Sequence, residues 1–139
     1  KYIQLLKQEK VNLNKFYLSH ADRTCFDLDY HKLLLDQGIY LSYDCFGKAD
    51  FFDNAFPGAG GISDYPRMKA LVELCELGYE KQLLISQDVC FKTSLRRFGG
   101  TGYSHFLENI IPNLKTLGLK DSSIKNILIN NPQKLFRIR

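Results

Sequence analysis

Three short apolar runs in this chain each end in a side chain that can hold a metal or move a proton. Phe16-Tyr-Leu-Ser leads into His20, Ile39-Tyr-Leu-Ser-Tyr into Asp44, and Leu83-Leu-Ile-Ser-Gln into Asp88. An imidazole and a carboxylate from different strands can share a divalent cation. The carboxylate can also accept a proton from water that the cation polarises. A lone polar residue after a strand more often caps the next helix, and Asp44 is read in that way. For His20 and Asp88 together both readings stand.

Asp22, two residues beyond His20, can orient that imidazole through its second ring nitrogen or pair with Arg23. Lys48, Arg96, Arg97 and Tyr103 can grip an anionic substrate group. Glycine-rich backbone at Gly99–Gly102, leading into a helix start, suits a phosphate; surface charge on a flexible loop is the alternative. His31 and His105 lie in or beside helices and read as structural. Cys45 and Cys90 each follow a strand-end aspartate and read as packing residues, a thiolate metal site being the minor alternative.

The elements that must position these groups follow from hydrophobic spacing. Tyr2, Ile3, Leu5 and Leu6 give Lys1–Lys10 a helical period, and Lys15–Ser19 reads as a strand. Tyr30 and Leu33 to Leu35 mark a short helix closed by Gly38, and Ile39–Tyr43 is the second strand. Pro66 fits the first turn of a helix with Met68, Leu71, Val72 and Cys75 on its apolar stripe, ended by Gly78. Leu83–Gln87 is the third strand and Lys92–Gly102 a loop. Phe106 to Leu114 form a helix ending at Gly118, Asp121-Ser-Ser caps another bearing Ile124, Ile127 and Leu128, and Asn131-Pro132 starts a last short one. Gly47–Ser63 is a long glycine-rich connector, and its Phe51–Ser63 part, with Phe51, Phe52 and Phe56, reads either as a lid or as a segment that merely packs at the mouth of the fold.

The order α, β, α, β, α, β, α, α with apolar strands indicates βαβ units and a parallel sheet. Three strands are too few to cover themselves, and they correspond to about three of the eight strands of a closed barrel. The chain of 139 residues is one domain or less, and its opening inside an amphipathic helix indicates a piece of a longer protein. A hydrophobic content of 45% and a charged content of 24% are those of a globular protein, and no apolar run spans a membrane. The net charge of +4 is scattered, which argues against nucleic-acid binding. Four cysteines without CxxC pairs fit a reducing cytoplasm. There is no GxGxxG and no phosphate-binding loop of the nucleotide type.

Tyr17-Leu-Ser-His-Ala-Asp-Arg-Thr24, Tyr43-Asp-Cys-Phe-Gly-Lys48, Ser86-Gln-Asp-Val-Cys-Phe-Lys-Thr93 and Arg97-Phe-Gly-Gly-Thr-Gly-Tyr103 resemble the phosphotriesterase family of the amidohydrolase superfamily. The likeness is to its bacterial phosphotriesterase-related and lactonase-like branch, and Asn130-Asn-Pro-Gln-Lys-Leu135 matches the family's closing segment. It covers essentially the whole chain. It implies an α/β fold, the C-terminal portion of a (β/α)8 TIM barrel, with residues 1–139 carrying about strands six to eight and their helices as a single incomplete domain. The implied activity is that of a metal-dependent hydrolase. Two zinc ions per complete site activate a hydroxide that attacks an ester, a lactone, a phosphorylated sugar lactone or a phosphotriester. By the same resemblance His20 and Asp88 are metal ligands, and Asp88 is also the catalytic proton shuttle. Lys48, Arg97 and Tyr103 would hold the substrate, with Asp22 and Arg23 supporting His20. The implied partner is a small-molecule substrate, and the full-length enzyme is expected to be a homo-oligomer.

The chain departs from the family in what it does not contain. The His-x-His pair of strand one, the carboxylated lysine of strand four and the histidine of strand five are absent, and Gln87 stands where many relatives have histidine. The segment alone is therefore expected to be inactive. Two other classes of function remain: a non-catalytic half-barrel that self-associates through open strand edges, and an anion-binding module built on Arg96, Arg97 and the glycine loop.

Overall fold

Apolar strands separated by helices do assemble into one parallel sheet. The computed structural model describes residues 1–48 and 61–137. Strands β1 (Tyr17–Leu18), β2 (Tyr40–Tyr43) and β3 (Leu83–Ile85) lie in that spatial order, Tyr17 beside Tyr40 and Leu41 beside Leu83. Helix α1 (Tyr2–Gln8) precedes the sheet, α2 (Leu28–Leu35) joins β1 to β2, and α3 (Asp64–Glu76) joins β2 to β3. The connector residues 49–60, with Phe51, Phe52 and Phe56, lie outside the described residues.

The alternation of side chains along β2 and β3 sorts the two faces. Leu41, Tyr43 and Leu83, all fully buried, enter the main core with Leu34, Leu35, Leu71 and Leu74 of the covering helices. Tyr40 and Leu84 point to the other face and pack with Leu135. Burial of β2 on both faces explains its unbroken apolar reading, whereas edge strand β1 leaves Tyr17 exposed. Truncating Leu41 to alanine in this setting costs about 3 kcal/mol.

Asp27 starts α2 by accepting a hydrogen bond from the backbone N–H of Tyr30 at 2.9 Å. The expected cap at Asp121-Ser-Ser is not formed. Helix α5 (Asp121–Lys125) begins after Lys120 with no side-chain cap, Asp121 pairs with Lys115 at 2.6 Å, and Ser123 donates to Glu80. Glu80 also accepts from Asn126 at 2.9 Å, so the helix start is anchored to the turn before β3.

Both late helices contain a π-turn just ahead of a proline. Phe106–Ile110 leads into α4 (Ile111–Thr116), and Asn126–Asn130 leads from α5 into α6 (Asn131–Phe136). Proline has no N–H to donate and crowds the carbonyl four residues back. The wider turn relieves that: Ile111 N–H bonds to Phe106 O and Asn131 N–H to Asn126 O, five residues back, immediately before Pro112 and Pro132. The helix expected to start at Asn131-Pro132 does begin there, but the π-turn joins it to α5 so that the two run on. Asn131 fixes α6 to the sheet by donating to Glu80 O and Leu83 O, each at 2.7 Å. Among the described residues no helix is long and apolar enough to cross a membrane.

Candidate active site

The period of two along each strand brings Ser42 and Asp44 to one face, and Ser86 and Asp88 likewise. With Ser19 and His20 they line a cleft of about 420 Å³ at the carboxyl ends of the three strands. His20 and Asp88 both sit at positive φ, +57° and +43°. Side chains other than glycine rarely hold that conformation, and such residues collect at functional sites.

His20 is fixed by Asp44. Its backbone N–H donates to Asp44 Oδ1 at 3.0 Å and its ring Nδ1 lies 2.6 Å from the same oxygen. Asp44 is buried while the His20 side chain is 38% exposed, so Nε2 is the ring nitrogen left to face a ligand. Asp44 is therefore no helix cap, as its place after a strand had indicated. It is the carboxylate that sets the His20 ring.

Asp22 does not orient the His20 ring, whose Nδ1 meets Asp44 instead. The fully buried Asp22 carboxylate turns away, meeting Arg67 Nε at 2.8 Å and accepting from the backbone of Cys45 at 2.9 Å and Asp44 at 3.4 Å. Burial pushes the Asp22 carboxyl up, and the Arg67 guanidinium opposes that shift. Arg67 itself is 2% exposed, and Arg23 bonds the Cys45 thiol. The ligand atoms of His20, Asp44 and Cys45 all lie within 4.8 Å of one another. Burial first, then the carboxylates of Asp22 and Asp44, push the Cys45 thiol up to about 12, which favours the packing role over a thiolate.

At the end of β3, Lys48 Nζ pairs with Asp88 Oδ2 and lies 3.6 Å from Cys90 Sγ. The Lys48 side chain is 4% exposed and that of Asp88 41%. The structure thus gathers His20, Asp44, Asp88 and Lys48 at the strand ends. Arg97 and Tyr103 stand apart from the cleft on the following loop, Tyr103 exposed and the Arg97 guanidinium 5.8 Å from the Phe98 ring. Arg96 is committed to Glu108 and to Thr101 O.

That loop is not loose. It folds into two 3-10 turns, Lys92–Ser94 and Arg96–Phe98, with Gly100 N–H bonded to Leu95 O at 3.1 Å and Gly102 N–H to Ser94 O at 2.8 Å. A Cβ on Gly100 would come within 2.3 Å of the Thr93 and Ser94 carbonyl oxygens, so only glycine fits. The glycines serve the loop's own hydrogen bonds, and their N–H groups do not form the phosphate cradle that the spacing had offered.

His31 is a core residue. Thr24 Oγ1 donates to Ala21 O at 3.0 Å, so it accepts from His31 Nε2 at 2.9 Å, and His31 Nδ1 accepts from the Tyr43 hydroxyl at 2.8 Å. This pattern assigns the neutral imidazole, whose protonation burial disfavours. Arg67 and Asp64 do not stand out by motif or spacing. The available signal was a charged residue on an apolar stripe, since Arg67, Leu71 and Leu74 share one face of α3 and all are buried.

The phosphotriesterase family profile matches residues 1–136. The chain is 39% identical over 137 residues to the N-acetyltaurine hydrolase of Dictyostelium discoideum, covering 98% of this chain and 37% of that protein. It is 37% identical to the N-acetyltaurine hydrolase of Xenopus tropicalis, again spanning only 38% of the relative's length. Among solved structures, a resiniferatoxin-binding protein from Rhodobacter sphaeroides superimposes with a TM-score of 0.89 at 30% identity, over 96% of this chain and 37% of the other. The phosphotriesterase homology protein of Escherichia coli, complexed with phosphate in its active site, gives 0.82 at 25% identity over 97% of this chain and 43% of the other.

Proposed function

The chain belongs to the phosphotriesterase family, and from that membership we propose that it forms the strand-six-to-eight sector of a metal-dependent (β/α)8 hydrolase. The observation that carries this reading is the convergence of His20, Asp44 and Asp88 on one cleft at the ends of three parallel strands. The donor set fits a divalent metal. His20 has one ring nitrogen committed to a carboxylate and the other turned outward, the arrangement typical of metal-ligating histidines, and Asp88 is an exposed carboxylate already attracting a cation. A pair of divalent ions, zinc in the proposed enzyme, supplies Lewis acidity and makes water a nucleophile near neutral pH.

His20 and Asp88 would hold the metal. Asp44 keeps the His20 ring in one orientation and makes it a better donor. Asp88 accepts the proton of the attacking water and returns it to the leaving group. Lys48 places the Asp88 carboxylate, and Arg97 and Tyr103 lie on a loop where an anionic substrate tail would be met. The remaining ligands belong to barrel strands that this chain does not contain.

The substrate we favour is a small acyl compound with an anionic end, an N-acyl amino sulfonate or a lactone. Support comes from the N-acetyltaurine hydrolases, whose named substrate joins an amide to a sulfonate, and from the phosphate held by the Escherichia coli relative. We place the enzyme in the cytoplasm as a homo-oligomer, the free thiols of Cys25, Cys45, Cys75 and Cys90 fitting a reducing compartment.

Metal analysis of the native-length protein, with a panel of N-acetyltaurine, a neutral lactone, a phosphorylated lactone and a phosphotriester, tests the proposal. Two divalent ions per chain and hydrolysis of at least one acyl substrate are expected. Failure to take up metal, with retained anion binding, would favour the anion-binding module instead.

A further inference from the structure

A single carboxylate pins the loop after β3 to the turn after β2. Asp64, in the first turn of α3, accepts from Gly47 N–H through Oδ1 at 2.8 Å and meets His105 Nε2 through Oδ2 at 2.8 Å. The second ring nitrogen of His105 lies 3.1 Å from Asn109 Nδ2, an amide donor, so Nε2 carries the proton given to Asp64. One helical turn on, Arg67 reaches Asp64 Oδ1 at 3.5 Å and Asp22 Oδ2 at 2.8 Å. Asp22 in turn accepts from the backbone of Asp44 and Cys45. A continuous series of charged contacts therefore joins His105 to the residue that orients His20.

The junction is closely packed as well as charged. Gly47 has φ +79°, and a Cβ there would lie 2.5 Å from Thr101 Oγ1 and 3.2 Å from His105 Cδ2. On its other side the loop is tied beside the site, Gln87 Nε2 donating to Gly102 O at 2.9 Å. The loop's interior is stiff through the Gly100 and Gly102 hydrogen bonds, and Arg96 joins it to Glu108 of the following helix, so the His105 and Gln87 attachments set where this unit, with Arg97 and Tyr103, stands against the rest of the fold.

We propose that Asp64 and His105 form a latch that holds this loop in register with the His20–Asp44 corner, acting as positioning residues for the anionic end of the substrate. The consequence for substrate rests on the hydrolase reading above; the latch itself rests on geometry alone. Neither residue lines the strand-end cleft. Without the latch the loop pivots on Gln87, and Arg97 and Tyr103 lose a defined distance from the reacting bond while the strand-end groups stay in place.

The test uses the native-length protein with His105→Ala and His105→Gln. In His105→Ala, native-state trypsin cleavage after Arg96 and Arg97 should rise about tenfold, the loss expected for one charge-assisted hydrogen bond. KM for N-acetyltaurine should rise about tenfold with kcat within about twofold, while the uncharged analogue N-ethylacetamide is unaffected. His105→Gln should restore both, since its amide can still donate to Asp64. Unchanged cleavage in His105→Ala overturns the latch, and equal KM changes for both substrates overturn its positioning role. Raised cleavage in a protein that hydrolyses nothing upholds the latch and sinks the hydrolase reading. Should His105→Ala not fold, hydrogen exchange on the unaltered protein decides: the amides of Gly47, Gly100 and Gly102 should open together, and independent opening overturns the latch.

Discussion

The two corners of the strand-end cleft are built on opposite principles. At the ends of β1 and β2, Arg67, Asp22 and Asp44 are buried and mutually bound, and they hold a half-exposed His20: Arg67 to Asp22, Asp22 to the backbone under Asp44, Asp44 to His20. At the end of β3, Asp88 is 41% exposed, strained at φ +43°, and held by the ammonium of Lys48. The first corner is rigid because removing any partner strands a buried charge. At the second, Asp88 is the exposed half of a pair whose ammonium is buried, which leaves a carboxylate edge open to the cation it is proposed to bind. On the proposed reading, the first corner carries mainly stability and the second mainly reactivity.

The largest expected effect falls on the reactive corner. In the native-length enzyme Asp88→Asn should lower kcat by roughly two to four orders of magnitude with KM nearly unchanged. Its urea midpoint should fall less than that of Arg67→Ala, because the amide oxygen of the asparagine can still accept from the buried Lys48 ammonium. A matching drop in unfolding free energy would erase the contrast between the corners.

Arg67→Ala should do the reverse. It leaves the Asp22 carboxylate buried without its guanidinium, at a cost of about 3 to 5 kcal/mol in unfolding free energy. Equilibrium urea denaturation gives that number directly. A loss below about 1 kcal/mol would mean that the corner tolerates Asp22 unpaired and is not the rigid one.

How far these corners were legible in the sequence follows the same division. The strands, their parallel order and the placing of His20 and Asp88 at strand ends came from apolar periodicity, which reports burial directly. Asp44 was visible as a strand-end residue yet read as a cap, because nothing in a linear spacing says that His20, 24 positions earlier, will meet it. Asp22 was tied to His20 by proximity in sequence, whereas the contact that decides its role is with Arg67 on a later helix. Long-range ion pairs leave no periodic trace. The π-turns before Pro112 and Pro132 were equally hidden, since a proline in a helical pattern reads as a start or a break.

A smaller effect is expected where the rigid corner would touch the proposed metal. Asp44→Asn keeps the shape of the side chain but removes the charge that orients and polarises His20, which should weaken zinc binding by about ten- to a hundredfold. Competition with a chromophoric chelator measures it. Equal weakening from Lys48→Ala would show that the two corners hold metal alike.

The smallest predicted change is in pH dependence, and it too belongs to the rigid corner. His31 lies below it, fully buried between Thr24 and Tyr43, and desolvation lowers its pKa from the ordinary value near 6.5. A depressed folded-state pKa means that the unfolded chain binds the proton more readily, so folding stability is complete above about pH 6.5 and declines as pH falls through the lower folded value. Protonation would put a second N–H against a Tyr43 hydroxyl that is itself donating to that nitrogen. The decline should be read as a fall in urea midpoint between pH 7.5 and 5.5, and His31→Gln should lack that component. Should His31→Gln keep the full acid sensitivity, the titrating group lies elsewhere, and the Thr24–His31–Tyr43 chain is a packing element rather than the acid-labile point of the rigid corner.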